Sequence, residues 1–554
     1  SSIRITPFRL IQLTHRRAGM LLNKLDSSWS QKAVYGYLGP LFLLAIYLIG
    51  LDRSFLFDVD EGAFTEATRE MLVSRDWWHT TLNGTDRFDK PIGVYWLQAI
   101  SASLFGLNEF AFRLPSALSA WAATMALCFF VYEKWGNKAA LIAGLISATS
   151  LGPWAMARTA TADALLGMFF VLSFLDLWRA LVTQRLFYSR RLAVWVGLGL
   201  LVKGPVAVVV PLGTLIVYFF FVHSIRTHIQ KMMLDTWSWL ILLGISLPWY
   251  IYAYARHGQS FIDGFLLKHN VERFTGSLEG HSGAWFYFLL AMPILWMPWS
   301  VFIFKAFANF KSQWNQSLLK FSWIWFCFVL VFFSLANTKL PHYLLYAGPA
   351  VCVLLTFTSL QASRSIWILN WIVALLGLVL LLLLPGVLQD QSHLIGNTVY
   401  QQLLSESETD SMWKWLFALP SVFCVLFVLN IYFQKIKVFY FDDSNQIISA
   451  SVAVLQSVVL ALIVLPWWAQ TLQAPVHDLA VKLKDRPETI VQWRVHFPSF
   501  ATYRNMEAPK REPQTGEMAL VKNQEPYWPS DWEIVATSGP FSVVKPVTLM
   551  KVSP

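Results

Sequence analysis

Apolar stretches of about 18 residues or more recur along nearly the whole chain; SIWILNWIVALLGLVLLLLLPG, residues 365–386, is one. Each is long enough to cross a bilayer core of roughly 30 Å as a helix, whose backbone groups satisfy one another in lipid. That confines the chain to an all-α polytopic membrane protein. The totals agree: of 554 residues, 56% are hydrophobic and 14% charged, against roughly 25% charged in soluble domains. Cys128, Cys327, Cys352 and Cys424 each lie inside an apolar run and read as small core residues, not disulfides or zinc ligands.

About thirteen spans are expected, at 34–51, 112–133, 139–156, 163–182, 192–202, 205–222, 236–255, 285–304, 319–336, 341–360, 365–386, 412–433 and 447–468. Residues 92–107 follow Pro91, are short and carry Trp96 and Gln98; they are expected to lie at the interface as a helix. Lys203-Gly204-Pro205 is expected to break a bent hairpin.

The charge pattern sets the direction. The first 33 residues are basic and lack the layout of a cleavable signal peptide. Placing them in the cytoplasm also keeps Lys134, Lys138, Arg185, Arg190, Arg191, Lys305, Lys311, Lys435 and Lys437 there, as the positive-inside rule demands. The formal charge of +10 is thus explained by the membrane, and no nucleic-acid partner is implied. Both the acidic stretch FLFDVDEGAFTEATREML, residues 55–72, and the C-terminus then face the periplasm.

From Pro475 onward the composition turns polar and proline-rich. VHDLAVKLKD reads as a short helix, and TIVQW, MALVK, EIVAT and FSVVK as strands. A small periplasmic α/β domain over 475–554 is expected beside a transmembrane catalytic domain over 1–474.

The candidate chemistry collects on this outer face. Asp60 and Glu61 open an acidic helix whose N-terminal dipole favours them, and Gly62 lets a backbone approach closely. Asp89 and Lys90 stand in RFDKP. Asp163 starts a span with almost no polar company, and Lys203 is a cation between two apolar runs; ionisable groups at such depth are functional candidates. KHNVERF holds His269, Glu272 and Arg273, and NTKLPHYLLY holds Lys339, His342 and Tyr343. Carboxylates, cations and aromatic rings at one interface suit a lipid-linked phosphosugar. Its phosphate needs Lys or Arg, its isoprenoid an apolar groove, and an acceptor hydroxyl a general base. No nucleotide-binding glycine motif and no HExxH is present. The rival classes are a transporter of lipid-linked substrates, which would need polar groups at mid-membrane and on both faces, and a scaffold subunit of an envelope complex.

DEGAFTEATREML, RFDKPIGVYWLQ, LFGLNEFAFRLPSAL, the Asp163 region, KGPVAVVVP, HNVERF and TKLPHYLLY run in one order across residues 35–360. In that order the chain resembles the GT-C glycosyltransferases of the protein-mannosyltransferase type, and most of all the bacterial transferases that add aminoarabinose to lipid A. The resemblance implies an inverting transfer from an undecaprenyl-phosphate sugar to lipid A phosphate, or to a protein or another envelope glycan. It implies Asp60 and Asp163 as catalytic. It places Lys90, Lys203, Lys339 and Tyr343 near the donor phosphate, with Glu61 in the same substrate-binding set. Asp89 and His269 would match positions beside a divalent metal; no other cofactor is implied, and a monomer in the bacterial inner membrane is expected. These transferases read Asp-Glu-x-Arg-Tyr-Ala-Glu where this chain has Ala63 and Phe64. The missing cation would come from Lys203 or Arg158.

Overall fold

The computed structural model describes residues 38–272, 283–409, 443–523, 528 and 532–546. The expected span 412–433, Cys424, Arg273 and the basic N-terminal segment lie outside these residues. The protein is mostly helical. Among the described residues, seven helices are long and apolar enough to cross a membrane, and Val206–Phe221 with the segment after it forms one more bent pair.

The expected spans near 163–182, 236–255, 319–336 and 365–386 appear as helices Asp163–Thr183, Thr236–His257, Ser317–Leu335 and Arg364–Asp390. The expected spans 112–133 and 139–156 fall mostly in the run Glu109–Thr149, which is two helices broken at Gly136, whose φ of 80° no helix contains. Other places differ for local reasons. The expected span 285–304 is divided into Tyr287–Leu295 and Ser300–Ala308, with Pro298, which donates no backbone hydrogen bond, in the gap. The expected span 192–202 is longer, Leu186–Lys203, and stops at Gly204 with φ 75°. A side chain there would also press within 2.7 Å of the Phe265 ring. The helix expected after Pro91 spans Gly93–Phe105.

The last long helix, Leu465–Lys482, runs through Pro475, so VHDLAVK is its final turns. The four strand-like runs are strands, Ile490–Gln492, Met518–Lys522, Glu533–Ser538 and Phe541–Lys545. They form one sheet in which the second strand pairs parallel with the first and antiparallel with the fourth, and the third lies outside the fourth. Leu520 and Val543 pack with Val476 and Leu479 of the long helix and with Leu403, so the sheet is seated on the membrane part by apolar contact.

A seven-residue helix, Pro498–Arg504, carries this region onto the loop after the helix Gly39–Leu48 and the start of the helix Asp60–Ser74. The Ser499 backbone N–H and hydroxyl both donate to Asp58, the former at 3.0 Å. Thr502 donates to Glu66 at 3.2 Å, and Tyr503 donates to Glu109 while accepting from the Leu56 N–H, both at 2.8 Å. Gly62 is the point of closest approach. A Cβ there would meet the Asp58 carboxylate at 1.9 Å and the Ser499 nitrogen at 2.6 Å. The close backbone approach expected at Gly62 is what the fold uses.

Candidate active site

Five carboxylates open the helix Asp60–Ser74 and its lead-in, and four have partners. Asp58 is held by Ser499. Glu61 receives two bonds from Arg113, at 2.8 and 2.7 Å, and the N–H groups of Ala160 at 2.7 Å and Phe57 at 2.9 Å. Glu66 is clasped by Arg69 at 2.7 and 2.8 Å, and Glu70 accepts from Thr81 and from the Gly84 N–H at 3.3 Å. Asp60 is exposed and makes no hydrogen bond or ion pair among the described residues. Its carboxylate acts electrostatically on Arg87.

Arg87 is the centre of this group. Its guanidinium donates to Tyr95 at 3.0 Å, pairs with Asp89 at 3.0 Å and lies over the Phe64 ring. Phe64, at the place where the resembling transferases carry Tyr, thus supports a cation supplied from Arg87. Asp89 also meets His269 at 2.7 Å. Burial works against its charge, but His269 and Arg87 outweigh it and hold the carboxyl well below the usual carboxylate range. The two residues expected to bind a metal therefore bond to each other. One carboxylate oxygen is on an imidazole and the other on a guanidinium, which does not fit a divalent cation. Lys90 lies beside them and donates to the Asp89 carbonyl at 3.0 Å.

A second cluster forms around Asp163. Lys203, the last residue of its helix, reaches Asp163, the first residue of the helix before it, at 2.5 Å. Each charge suits its own helix terminus as well as the other. The Tyr346 hydroxyl donates to Asp163 at 3.0 Å, His342 stands at 3.8 Å, and the Lys203 ammonium lies 5.8 and 5.6 Å from the Tyr343 and Tyr346 rings. A narrow cavity of about 100 Å³ runs from Asp163, His342 and Tyr346 toward Leu127, Val171 and Cys352. Its lining is mostly apolar with Asp163, His342 and Tyr346 among it, which suits a hydrocarbon tail joined to a phosphate. Asp60 is not among its lining residues.

The wide helical segment Ile262–Glu272 bridges the two clusters. Gly264 abuts Phe88, Phe265 caps Gly204, and His269 holds Asp89. The Ala160 N–H, three residues before Asp163, is fixed to Glu61 beside Asp60.

Three expected phosphate or substrate ligands have other work. Glu61 accepts from Arg113 and two backbone donors and so joins loops. Arg158 donates to the carbonyls of Tyr47 and Ile49 and stacks on Trp154; it caps the helix Gly39–Leu48. Lys339 likewise donates to the carbonyls of Ser334, at 2.6 Å, and Ala336, closing the helix Ser317–Leu335. A buried cation near a helix end can serve the backbone as well as a phosphate, and sequence does not separate the two.

Several groups come from where sequence reasoning did not look. A pocket of about 380 Å³ lies between Asp58 and Val59 on one side and Arg494, His496, Lys510 and Lys522 on the other. His496 is pushed down to about 4 by burial and by Lys510 and Arg87, so it is neutral, and its buried Nδ1 has no partner among the described residues. The signal was RVHFP, cations and an imidazole in the polar tail, but nothing in the sequence tied it to a loop more than 400 residues earlier.

Burial pushes Asp58 up to about 7, against the bonds from Ser499. The folded chain therefore holds a proton on Asp58 that the unfolded chain has lost. The Asp58 contribution to stability is full below the ordinary aspartate range and falls as pH rises toward 7. Asp58→Asn keeps an acceptor for the Ser499 N–H and removes that slope. Melting curves at pH 5 and pH 8 should show the wild type losing a few degrees (~2–5 °C) more than the variant. Equal losses would show that Asp58 does not titrate there.

A family model described as dolichyl-phosphate-mannose-protein mannosyltransferase matches residues 89–252. An uncharacterized protein of Aquifex aeolicus is 30% identical over 54% of this chain and 68% of its own length. An undecaprenyl phosphate-alpha-4-amino-4-deoxy-L-arabinose arabinosyl transferase of Pseudomonas fluorescens is 29% identical over 55% of this chain, which spans 53% of that relative. The crystal structure of ArnT from Cupriavidus metallidurans bound to undecaprenyl phosphate superposes with a TM-score of 0.73 at 20% identity, over 92% of this chain and 98% of that one. That likeness establishes the fold.

Proposed function

Since the chain belongs to the GT-C membrane glycosyltransferases of the protein-mannosyltransferase type, we propose that it moves a sugar from undecaprenyl phosphate to an anionic acceptor, aminoarabinose to a lipid A phosphate. The Pseudomonas relative's name supports this donor sugar. We read the topology as thirteen spans, with the N-terminus cytoplasmic and the two clusters and the C-terminal sheet periplasmic.

The observation that carries the reading is one uncommitted carboxylate, Asp60, next in the chain to Asp58 and Val59, which line the cationic pocket of Arg494, Lys510 and Lys522. In the transfer, the bond from the sugar anomeric carbon to the donor phosphate oxygen breaks and a bond to the acceptor oxygen forms on the opposite face. The cavity beside Asp163 takes the start of the isoprenoid. Lys203 and Lys90 then stabilise the charge that grows on the departing phosphate. A lipid A phosphate is already ionised and needs no base. Asp60 then orients it and the sugar and faces the positive charge that develops at the anomeric carbon. With a hydroxyl acceptor the same carboxylate takes the proton. Arg494, Lys510 and Lys522 hold the acceptor phosphate.

The test uses the full chain in vesicles, with the undecaprenyl-phosphate sugar and lipid A bearing or lacking its phosphates. Transfer should require the phosphate. The double variant Lys510→Ala and Lys522→Ala should raise the acceptor KM about tenfold, roughly 1.4 kcal/mol, and leave the donor KM unchanged. Equal transfer to the phosphate-free lipid would overturn the acceptor assignment, and no transfer to either would count against the donor.

A further inference from the structure

Three side chains outside the clusters above meet at the base of the first outer hairpin. Thr81 and Asp86 close that hairpin as a paired couple, His79 precedes it, and His257 ends the long helix Thr236–His257. His79 Nε2 is 3.0 Å from one Asp86 oxygen, and His257 Nδ1 is 3.2 Å from the other. The remaining nitrogens, His79 Nδ1 and His257 Nε2, face each other at 3.1 Å, with the rings stacked at 4.5 Å.

Counting protons exposes a deficit. An imidazole that donates to Asp86 through one nitrogen keeps, when neutral, a lone pair on the other. With both rings donating to Asp86, the two facing nitrogens present lone pairs to each other. The cluster is rich in electron pairs and draws one more positive charge, either a proton or a metal ion. Arg256, next in the chain to His257, is paired with Asp76 at 2.6 Å, which offsets its repulsion of a cation.

From this we infer that His79, Asp86 and His257 form a binding site for a divalent transition metal of the zinc type. Two imidazoles and one carboxylate are a zinc donor set, with a fourth place left for water. The three ligand atoms lie within 4.8 Å of one another. A tetrahedral zinc needs about 3.3 Å between ligands at its usual bond lengths, so the three side chains must draw together on binding, and Asp86 has room to move. Its side chain is 51% exposed and can turn.

The ion would staple the hairpin to the helix end. Phe88, two residues beyond Asp86, already packs edge-on against His257 at 5.1 Å and against Phe261 at 5.9 Å. Arg87 and Asp89 flank Phe88, so the staple would set where both stand. His79, Asp86 and His257 are positioning residues, and their metal site does not depend on which sugar or acceptor the protein uses.

The experiment measures metal, not activity. The full-length protein in detergent, freed of any polyhistidine tag, is stripped with a chelator, incubated with zinc and desalted, and its zinc is counted by mass spectrometry. Cobalt in place of zinc gives a visible d–d band that reports coordination. The wild type and His269→Ala should retain about one equivalent. His79→Ala, His257→Ala and Asp86→Asn should lose it at least tenfold and lose the cobalt band. If a histidine variant does not accumulate, Asp86→Asn carries the test, since its side chain is half exposed. No stoichiometric zinc in the wild type would overturn the site, as would zinc that survives Asp86→Asn or disappears with His269→Ala.

Discussion

Asp60→Asn should insert and melt as the wild type does and lose sugar transfer by about 10²-fold or more, the scale of a misplaced or missing catalytic carboxylate. The combination is diagnostic because Asp60, unlike Asp58, Glu61, Glu66 and Glu70 beside it, makes no hydrogen bond or ion pair among the described residues. Removing its charge should cost the fold almost nothing, since surface substitutions stay within about 0.5 kcal/mol. The assay is single-turnover transfer from an undecaprenyl-phosphate sugar in vesicles, with the melting temperature read alongside. Full activity would take Asp60 out of the mechanism and leave the scaffold reading in its place. Asp60→Glu is a useful companion. It keeps the charge but moves it by one methylene, so an intermediate rate is expected if position matters.

Arg113→Ala should have the opposite signature: no specific kinetic defect, and little folded protein to measure. Arg113 is fully buried. Besides Glu61, it donates to the carbonyls of Leu51, Ser54 and Phe55 at 3.1, 2.6 and 2.9 Å. The substitution leaves Glu61 charged without a cation and three carbonyls without a donor. Breaking a buried pair from one side costs roughly 3–5 kcal/mol, a large part of the 5–15 kcal/mol by which domains are stable. The measurement is thermal melting in detergent together with the yield of monodisperse protein. Arg113→Ala with Glu61→Gln should recover part of the loss, because the stranded charge goes with it. A single variant that melts as the wild type does would show that this loop is held elsewhere.

The membrane class was legible from hydropathy alone, because burying an 18-residue apolar run leaves few other solutions. So were the breaks at Gly204 and Gly136, where punctuating residues meet a backbone turn no helix allows. Pairings were less legible. Asp163 and Lys203 were each conspicuous as charges among apolar neighbours, and the structure joins them. The acids Glu61, Glu66 and Glu70 were just as conspicuous beside Asp60, yet each is absorbed by a partner elsewhere in the chain. Arg158 and Lys339 also have acceptors that sequence did not show, carbonyls at helix ends, which leave no trace in residue identity. Arg494, His496 and Lys510 escaped because their neighbours lie hundreds of residues upstream. Periodicity reports a residue's own element, and says nothing of which distant loop that element will touch.

The Ser499 grip on Asp58, with Gly62 pressed between them, sets an order of assembly. Residues 55–72 emerge early in synthesis, and their clasp arrives only after about 430 more residues have been made. Until then the loop bearing Asp60 lacks one of its walls and the cations beyond it. A chain released early, however well it inserts, would be an unfinished catalyst, so half-made copies would leave the lipid-linked sugar pool unspent.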